Sequence, residues 1–302
     1  MTDQSVNARE ELPMPTIHTR AGRVAYSEQG TGPTVLLLHA TLHDRHDFDP
    51  IVDALARRYR TIAVDWPGHG ESDPFDATLE PSAPLLADVL EDVVDGLGVS
   101  RAVFIGNSVG GFAAARLAIN RPESVAGLVL VNAGGFVPLN PLVRTFCRVL
   151  GTPAVFRRVA PLFVRGYMKA QTDSDRRLSQ RATAMAKTPE GVRVGTGLWR
   201  SFATPGHDLR GRAADLTAPT LIVWGTKDIA IPLRAGRATH GALRGSRLEL
   251  LDTGHVVFSS DPAGFLAAAE PFLESVAPTG RGVCIRGGDT PADPALGAHR
   301  KP

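Results

Sequence analysis

Ala102-Val103-Phe104-Ile105-Gly106-Asn107-Ser108-Val109-Gly110-Gly111-Phe112-Ala113-Ala114-Ala115 is the stretch whose reading decides the fold. Four apolar residues read as a buried strand. The small residues after Gly111 open a helix, so Ser108 falls in a sharp strand-to-helix turn. A serine in such a turn is forced into strained backbone geometry, and glycines two residues to either side let the flanking backbone pack closely enough to permit it. The hydroxyl is then held out of the turn, beside N–H groups at a helix start that can stabilise an oxyanion. The same letters also fit a glycine-rich helix start with an exposed serine, so the rest of the chain has to decide.

A nucleophilic serine needs a base, and the base needs an orienting acid. With a serine in this turn, both should follow it in sequence, acid first and histidine last, each just past a strand. Thr220-Leu221-Ile222-Val223-Trp224 is a short apolar strand running into Gly225-Thr226-Lys227-Asp228. Arg247-Leu248-Glu249-Leu250-Leu251 alternates like a final strand and runs into Asp252-Thr253-Gly254-His255. Ser108, Asp228 and His255 therefore stand in the required order, at the strand ends where open parallel sheets bind ligands. Asp252 is the nearest rival acid and reads as a strand terminator. Upstream, Pro33-Thr34-Val35-Leu36-Leu37-Leu38 is a strand ending in His39-Ala40-Thr41-Leu42-His43-Asp44. The loop after it should supply one oxyanion N–H and the residue after the nucleophile the other, which assigns Thr41 and Val109.

With these segments, and with Asp65-Trp66-Pro67-Gly68-His69-Gly70-Glu71-Ser72-Asp73, the chain resembles the α/β-hydrolase fold family, in its serine hydrolase branch with a helical cap. The likeness spans residues of about 16 to 275. It implies an α/β, doubly wound, mostly parallel eight-stranded sheet with helices on both faces. Family members usually carry glycine where Ala40 stands, and the added methyl narrows the acyl side of the site or reorients the Thr41 N–H.

Strands alternating with helices imply right-handed crossovers and a parallel sheet. Residues 1–14 read as a flexible leader, 15–133 and 209–276 as the core, and 277–302, rich in Gly, Pro, Ala and charge, as a disordered tail. Between 134 and 208 the alternation breaks into helices at Leu142–Leu150, Pro153–Met168, Asp175–Ala186 and Pro189–Phe202, expected to sit over the strand ends as a cap. Val155, Phe156, Val159, Leu162, Phe163 and Tyr167 fall on one helical stripe, expected mainly to pack cap against core. The 134–208 segment carries twelve Lys and Arg against four Asp and Glu. A solvated face accounts for such a run; the sharper alternative is an anionic substrate or membrane surface, with Arg157, Arg158, Arg165 and Lys169 beside the apolar stripe.

The chain has 302 residues, 43% apolar, with 33 Lys and Arg against 31 Asp and Glu. That suffices for one α/β core, and the charge balance gives no argument for nucleic acid. Cys147 and Cys284 are far apart with no CxxC spacing and read as free thiols in a reducing cytoplasm. The first residues lack a signal-peptide h-region, and no run reaches the ~18 apolar residues of a spanning helix. A small-molecule substrate is expected, with no cofactor and no metal; the oligomeric state is left open.

His39, His43 and His46 with Asp44 and Asp47 pose one competing reading, a metal cluster, but their spacing does not match usual metal sites. A serine nucleophile disfavours the dehalogenase and epoxide-hydrolase branches, which use aspartate. The Gly-Asn-Ser-x-Gly-Gly elbow resembles that of carbon–carbon bond hydrolases acting on vinylogous diketones. Their Ser-Gly-Pro-Gly-type loop is replaced here by Ala40-Thr41-Leu42-His43, and their aromatic residue after the histidine by Val256. Ester hydrolysis therefore ranks first, carbon–carbon hydrolysis second, and a weakly catalytic ligand-binding protein of the same fold third.

Overall fold

The computed structural model describes residues 14–277. The leader and tail expected at the two ends fall, apart from Met14 and Ala277, outside them, as does Cys284. Eight strands form one sheet: β1 (Thr16–Thr19), β2 (Gly22–Gln29), β3 (Thr34–Leu38), β4 (Arg60–Val64), β5 (Ala102–Asn107), β6 (Val125–Val131), β7 (Thr220–Gly225) and β8 (Arg247–Leu251). Their spatial order is β1-β2-β4-β3-β5-β6-β7-β8. β1 and β2 pair antiparallel, as do β2 and β4, and every later pair is parallel. The mostly parallel, doubly wound sheet expected from the sequence is what forms.

The central strands β3, β5, β6 and β7 are almost wholly buried, as parallel strands covered on both faces must be. Helices α1 (Asp49–Ala56), α2 (Ala83–Gly96), α3 (Val109–Asn120), α8 (Leu233–Ala242) and α10 (Pro262–Val276), with the single turn α9 (Val257–Ser260), cover those faces. Two apolar clusters result. One packs α2 and α3 against Leu36, Phe104 and Trp224; the other packs α1 and α10 against Val35, Val103 and Val223. β8 is an edge strand, partly exposed along its length rather than alternating.

Four helices are inserted between β6 and β7: α4 (Pro141–Leu150), α5 (Pro153–Met168), α6 (Asp173–Met185) and α7 (Pro189–Phe202). Their starts follow from capping chemistry. Asn140, Thr172 and Thr188 side chains accept from Val143, Asp175 and Gly191 N–H groups, and proline stands in the first turn of α4, α5 and α7. The single stripe expected on α5 splits in two. Phe156, Ala160, Val164 and Tyr167 are buried, whereas Val159 and Leu162 are exposed. At 100° per residue these last two lie a quarter-turn or more from the buried ridge, which leaves them facing outward.

Candidate active site

Ser108 closes β5 and begins α3 at φ 55°, ψ −114°, a conformation that non-glycine residues adopt only under constraint. The constraint is steric. A Cβ on Gly106 would come within 2.6 Å of Gly111 N, and one on Gly110 within 2.9 Å of Leu38 Cβ. The Ser108 N–H donates to Val131 O at 3.0 Å, tying the elbow to the end of β6.

Asp228 follows β7 and His255 follows β8, and the structure joins them. His255 Nδ1–H donates to Asp228 Oδ2 at 2.7 Å, both side chains being buried. That bond fixes the tautomer and leaves Nε2 free to accept. Asp228 Oδ1 accepts from the N–H groups of Ala230 (2.7 Å) and Ile231 (3.2 Å). Asn132, left-handed at φ 43° beyond β6, donates through Nδ2 to Asp228 Oδ2 at 2.5 Å and accepts the Gly225 N–H at 3.0 Å. Asn107, next to the serine, donates from Nδ2 to Val131 O and His255 O, both at 3.0 Å. Its amide thus pins the histidine loop to the elbow. No hydrogen bond joins Ser108 Oγ to the imidazole among the described residues; resting geometry at such sites is often loose. Asp252 lies apart, exposed and bonded to Lys227 Nζ at 2.7 Å and Thr226 Oγ1 at 3.2 Å; the lysine bond holds its carboxyl below the usual range.

The loop after β3 is held by two neutral histidines. His39 Nδ1–H donates to Ala40 O (2.7 Å), and its Nε2 accepts from Trp66 N–H (3.0 Å). His69 Nδ1–H donates to Pro67 O (3.0 Å), and its Nε2 accepts from Leu42 N–H (3.1 Å). Burial drives both histidines below their ordinary pKa, His69 to about 3. Leu42 N–H is thus taken and His43 N–H is bonded to Ala40 O (3.3 Å), whereas Thr41 N–H has no protein acceptor among the described residues. The buried Arg45–Asp65 ion pair braces the loop from below, Asp65 also accepting from Glu71 N–H at 3.0 Å.

The remaining histidines of that loop diverge. His46 points to Asp49 at 3.1 Å. His43 Nδ1–H donates to Asp47 Oδ1 at 3.0 Å, and its Nε2 accepts from the Tyr167 hydroxyl at 2.9 Å. The Tyr167 ring meets His255 edge to face, with centroids 5.1 Å apart, and its carbonyl accepts the His255 N–H at 3.0 Å. Burial, with the Asp47 and Asp228 carboxylates adding to it, raises the phenol well above its usual pKa, so it stays neutral. Among the described residues no three His, Cys, Asp or Glu side chains gather as a metal site.

Sequence reasoning missed Asn132, Asn107 as a brace, and the Asp47–His43–Tyr167 chain. Asn132 did carry a signal, a polar residue directly after a wholly apolar strand of a parallel sheet. Tyr167 carried none, because its partner lies 124 positions away.

A sequence profile of the alpha/beta hydrolase fold matches residues 33–262. An uncharacterised protein of Mycobacterium tuberculosis is 28% identical over 92% of this chain and 87% of its own length. A 2-hydroxy-6-oxononadienedioate/2-hydroxy-6-oxononatrienedioate hydrolase of Paraburkholderia phymatum is 33% identical over 71% of this chain and 77% of its own. Among solved structures, a thermophilic esterase from Thermogutta terrifontis superposes with a TM-score of 0.73 at 23% identity, covering 88% of this chain and all of that one. An enol-lactonase from Burkholderia xenovorans gives 0.70 at 24%, covering 86% and 100%. Those two likenesses speak to the fold alone, but with the profile match over most of the chain they leave one conclusion: the chain belongs to the α/β-hydrolase fold family.

Proposed function

We propose that this hydrolase cleaves a carboxylic ester through an acyl-enzyme, with Ser108 as nucleophile, His255 as base and then acid, and Asp228 as the orienting carboxylate. The observation that carries the reading is the strained Ser108 at the start of α3, with an Asp228–His255 pair braced beside it by Asn107 and Asn132. Ser108 Oγ attacks the carbonyl carbon as His255 Nε2 takes its proton. The tetrahedral oxyanion sits on the N–H groups of Val109 and Thr41, and the imidazolium is stabilised by Asp228. His255 then returns the proton to the leaving alcohol, and water repeats the cycle on the acyl carbon.

Residues 134–208 serve in this reading as a cap over a core of 15–133 and 209–276. Its inward apolar side chains and the Ala40 methyl favour small to medium acyl groups. Cys147 is buried and in no disulfide among the described residues, which suits a reducing compartment, consistent with a cytoplasmic setting. Among the described residues no helix is long and apolar enough to cross a membrane.

Carbon–carbon hydrolysis is the second reading, favoured by the Asn107-Ser108 elbow and by the relative named for that reaction. The Asn107 Nδ2 is committed to two backbone carbonyls rather than offered to a substrate, which keeps the ester first. An ester panel run beside a vinylogous diketone separates the two. Ser108→Ala should lower kcat on the better substrate by about 10³-fold or more, and a fluorophosphonate should label Ser108. Near wild-type turnover by that variant would refute the assignment.

A further inference from the structure

Five of the seven large apolar side chains exposed among the described residues lie on α4 and α5: Leu142 (76% exposed), Phe146 (43%), Val149 (46%), Val159 (40%) and Leu162 (67%). Leu142, Phe146 and Val149, spaced i, i+4, i+7, form one face of α4. The Phe146 and Phe163 rings, with centroids 5.9 Å apart, join that face to α5. A sixth exposed residue, Ile229, adjoins α5 at Gly166. The patch is therefore continuous, and a monomeric protein rarely leaves so much contiguous apolar surface without a use for it.

Its charge is one-sided. From Ser124 to Thr172 the chain has no Asp or Glu, and Arg144, Arg148, Arg157, Arg158, Arg165 and Lys169 fall on or beside these two helices. Leu162 has Arg158 one turn before it and Arg165 one turn after. Four of the five arginines on α6 and α7, by contrast, are held by carboxylates: Arg176 by Asp173, Arg181 by Asp44, Arg193 by Glu190 and Arg200 by Glu80. A second copy of the chain is a poor occupant, since a two-fold contact would oppose like charges with no acid to offset them. Leucine, valine and phenylalanine beside unpaired arginines are instead the composition of helices that lie in a lipid interface.

We infer that the outer face of α4 and α5 docks on the surface of a bilayer containing anionic lipid. Apolar side chains enter the acyl boundary and arginines reach the phosphates. The face also leads inward. Phe146 meets Phe163 edge to face, Phe163 meets Tyr167 likewise (5.5 Å), and Tyr167 meets His255 (5.1 Å), so docking would place the lipid surface at the outer end of an aromatic line that ends on the candidate base. Docking itself does not depend on which bond the site cleaves.

The full chain is sedimented with vesicles of phosphatidylcholine alone and of phosphatidylcholine with equal phosphatidylglycerol, at low and at high salt. Binding is expected on the anionic vesicles only and should fall as salt rises. Arg157→Gln/Arg158→Gln/Arg165→Gln should lower the partition coefficient by about 100-fold, and Leu142→Ser/Leu162→Ser by about 10-fold or more. Both variants should keep the wild-type melting temperature and turnover of a short, water-soluble ester. Absence of wild-type binding, equal binding to neutral vesicles, or indifference to the arginine changes would overturn the inference. Binding of soluble polyglutamate without vesicle binding would overturn it too, in favour of an acidic protein partner. Intact vesicle binding without ester turnover would strike the proposed reaction and leave the docking face standing.

Discussion

Asn132 is where the brace of the candidate site can be tested most directly. Its Nδ2 and the His255 Nδ1–H converge on the same oxygen, Asp228 Oδ2, while its own Oδ1 satisfies the buried Gly225 N–H. Asn132→Gly removes both side-chain bonds and keeps the left-handed backbone at φ 43° unstrained. Orphaning the Gly225 N–H costs about 1–3 kcal/mol and losing a hydrogen bond to a charged acceptor about 1.5–3. With partial relaxation the variant should lose about 3 kcal/mol. Asn132→Ala adds the left-handed penalty, about 1 kcal/mol more. Activity should fall less than stability suggests, because Asp228 keeps the N–H groups of Ala230 and Ile231 and stays aimed at His255. One weakened orienting bond predicts a loss of about 10- to 100-fold in kcat, against about 10⁴ for removing the carboxylate charge. Urea unfolding at neutral pH and turnover of a short p-nitrophenyl ester measure the two effects. Asn132→Gly with wild-type stability, or with activity as low as that of Asp228→Asn, would refute this account of the brace.

Asp228→Asn should abolish most turnover and Asp252→Asn, which loses only the exposed pairing with Lys227, should be mild; assays of both on one ester reveal the ranking. Tyr167→Phe leaves the buried His43 Nε2 without its donor and should cost about 1–3 kcal/mol in a thermal or urea melt, whereas His43→Phe paired with Tyr167→Phe should lose less than the sum of the two single changes. His39, His69 and His207 are all buried with pKa values lowered mainly by burial, His69 to about 3 and His207 to about 4. Their contribution is fully present above the unfolded value of about 6.5 and is lost as pH falls below it, since the unfolded chain then binds protons that the native state refuses. Urea melts between about pH 6.5 and 4 should therefore show a slope of up to about 1.4 kcal/mol per pH unit per histidine, and a His69→Gln variant with an unchanged slope would contradict it.

What could be read from the letters alone was whatever the backbone itself imposes. Gly106 and Gly110 announce a turn that only glycine permits, and Asp228 and His255 each stand just past the strand that delivers them. Helices with proline and threonine at their starts, such as α7, declare themselves locally. Less was legible where helix propensity is poor. α8 contains two glycines and a threonine, yet forms because Gly236 lets it lie against Trp224, where a Cβ would come within 2.5 Å of the indole. The single turn α9 is too short for periodicity to reveal. The α5 stripe misled because six apolar residues span two faces of the helix, and only packing decides which of the two is covered.

Three residues of the candidate site sit on the same kind of strained backbone, yet only one of them was legible in the sequence. Leu42, Ser108 and Asn132 all sit at positive φ, each at or just beyond a strand end, and each such residue costs of order 1–3 kcal/mol unless its surroundings hold it. For Ser108 the device is local, glycines two positions away, so the sequence displays it. For Leu42 it is His69, 27 residues on, whose neutral Nε2 captures the Leu42 N–H. For Asn132 it is Asp228 and Gly225, more than 90 residues on. A strained backbone advertises itself when the relief is a neighbouring glycine and is silent when the relief is a hydrogen bond across the sheet. The Asp-Trp-Pro-Gly-His-Gly segment after β4 was legible only as part of a family resemblance. Its histidine, His69, has a physical role in the structure, because it takes the Leu42 N–H and so fixes the loop after β3.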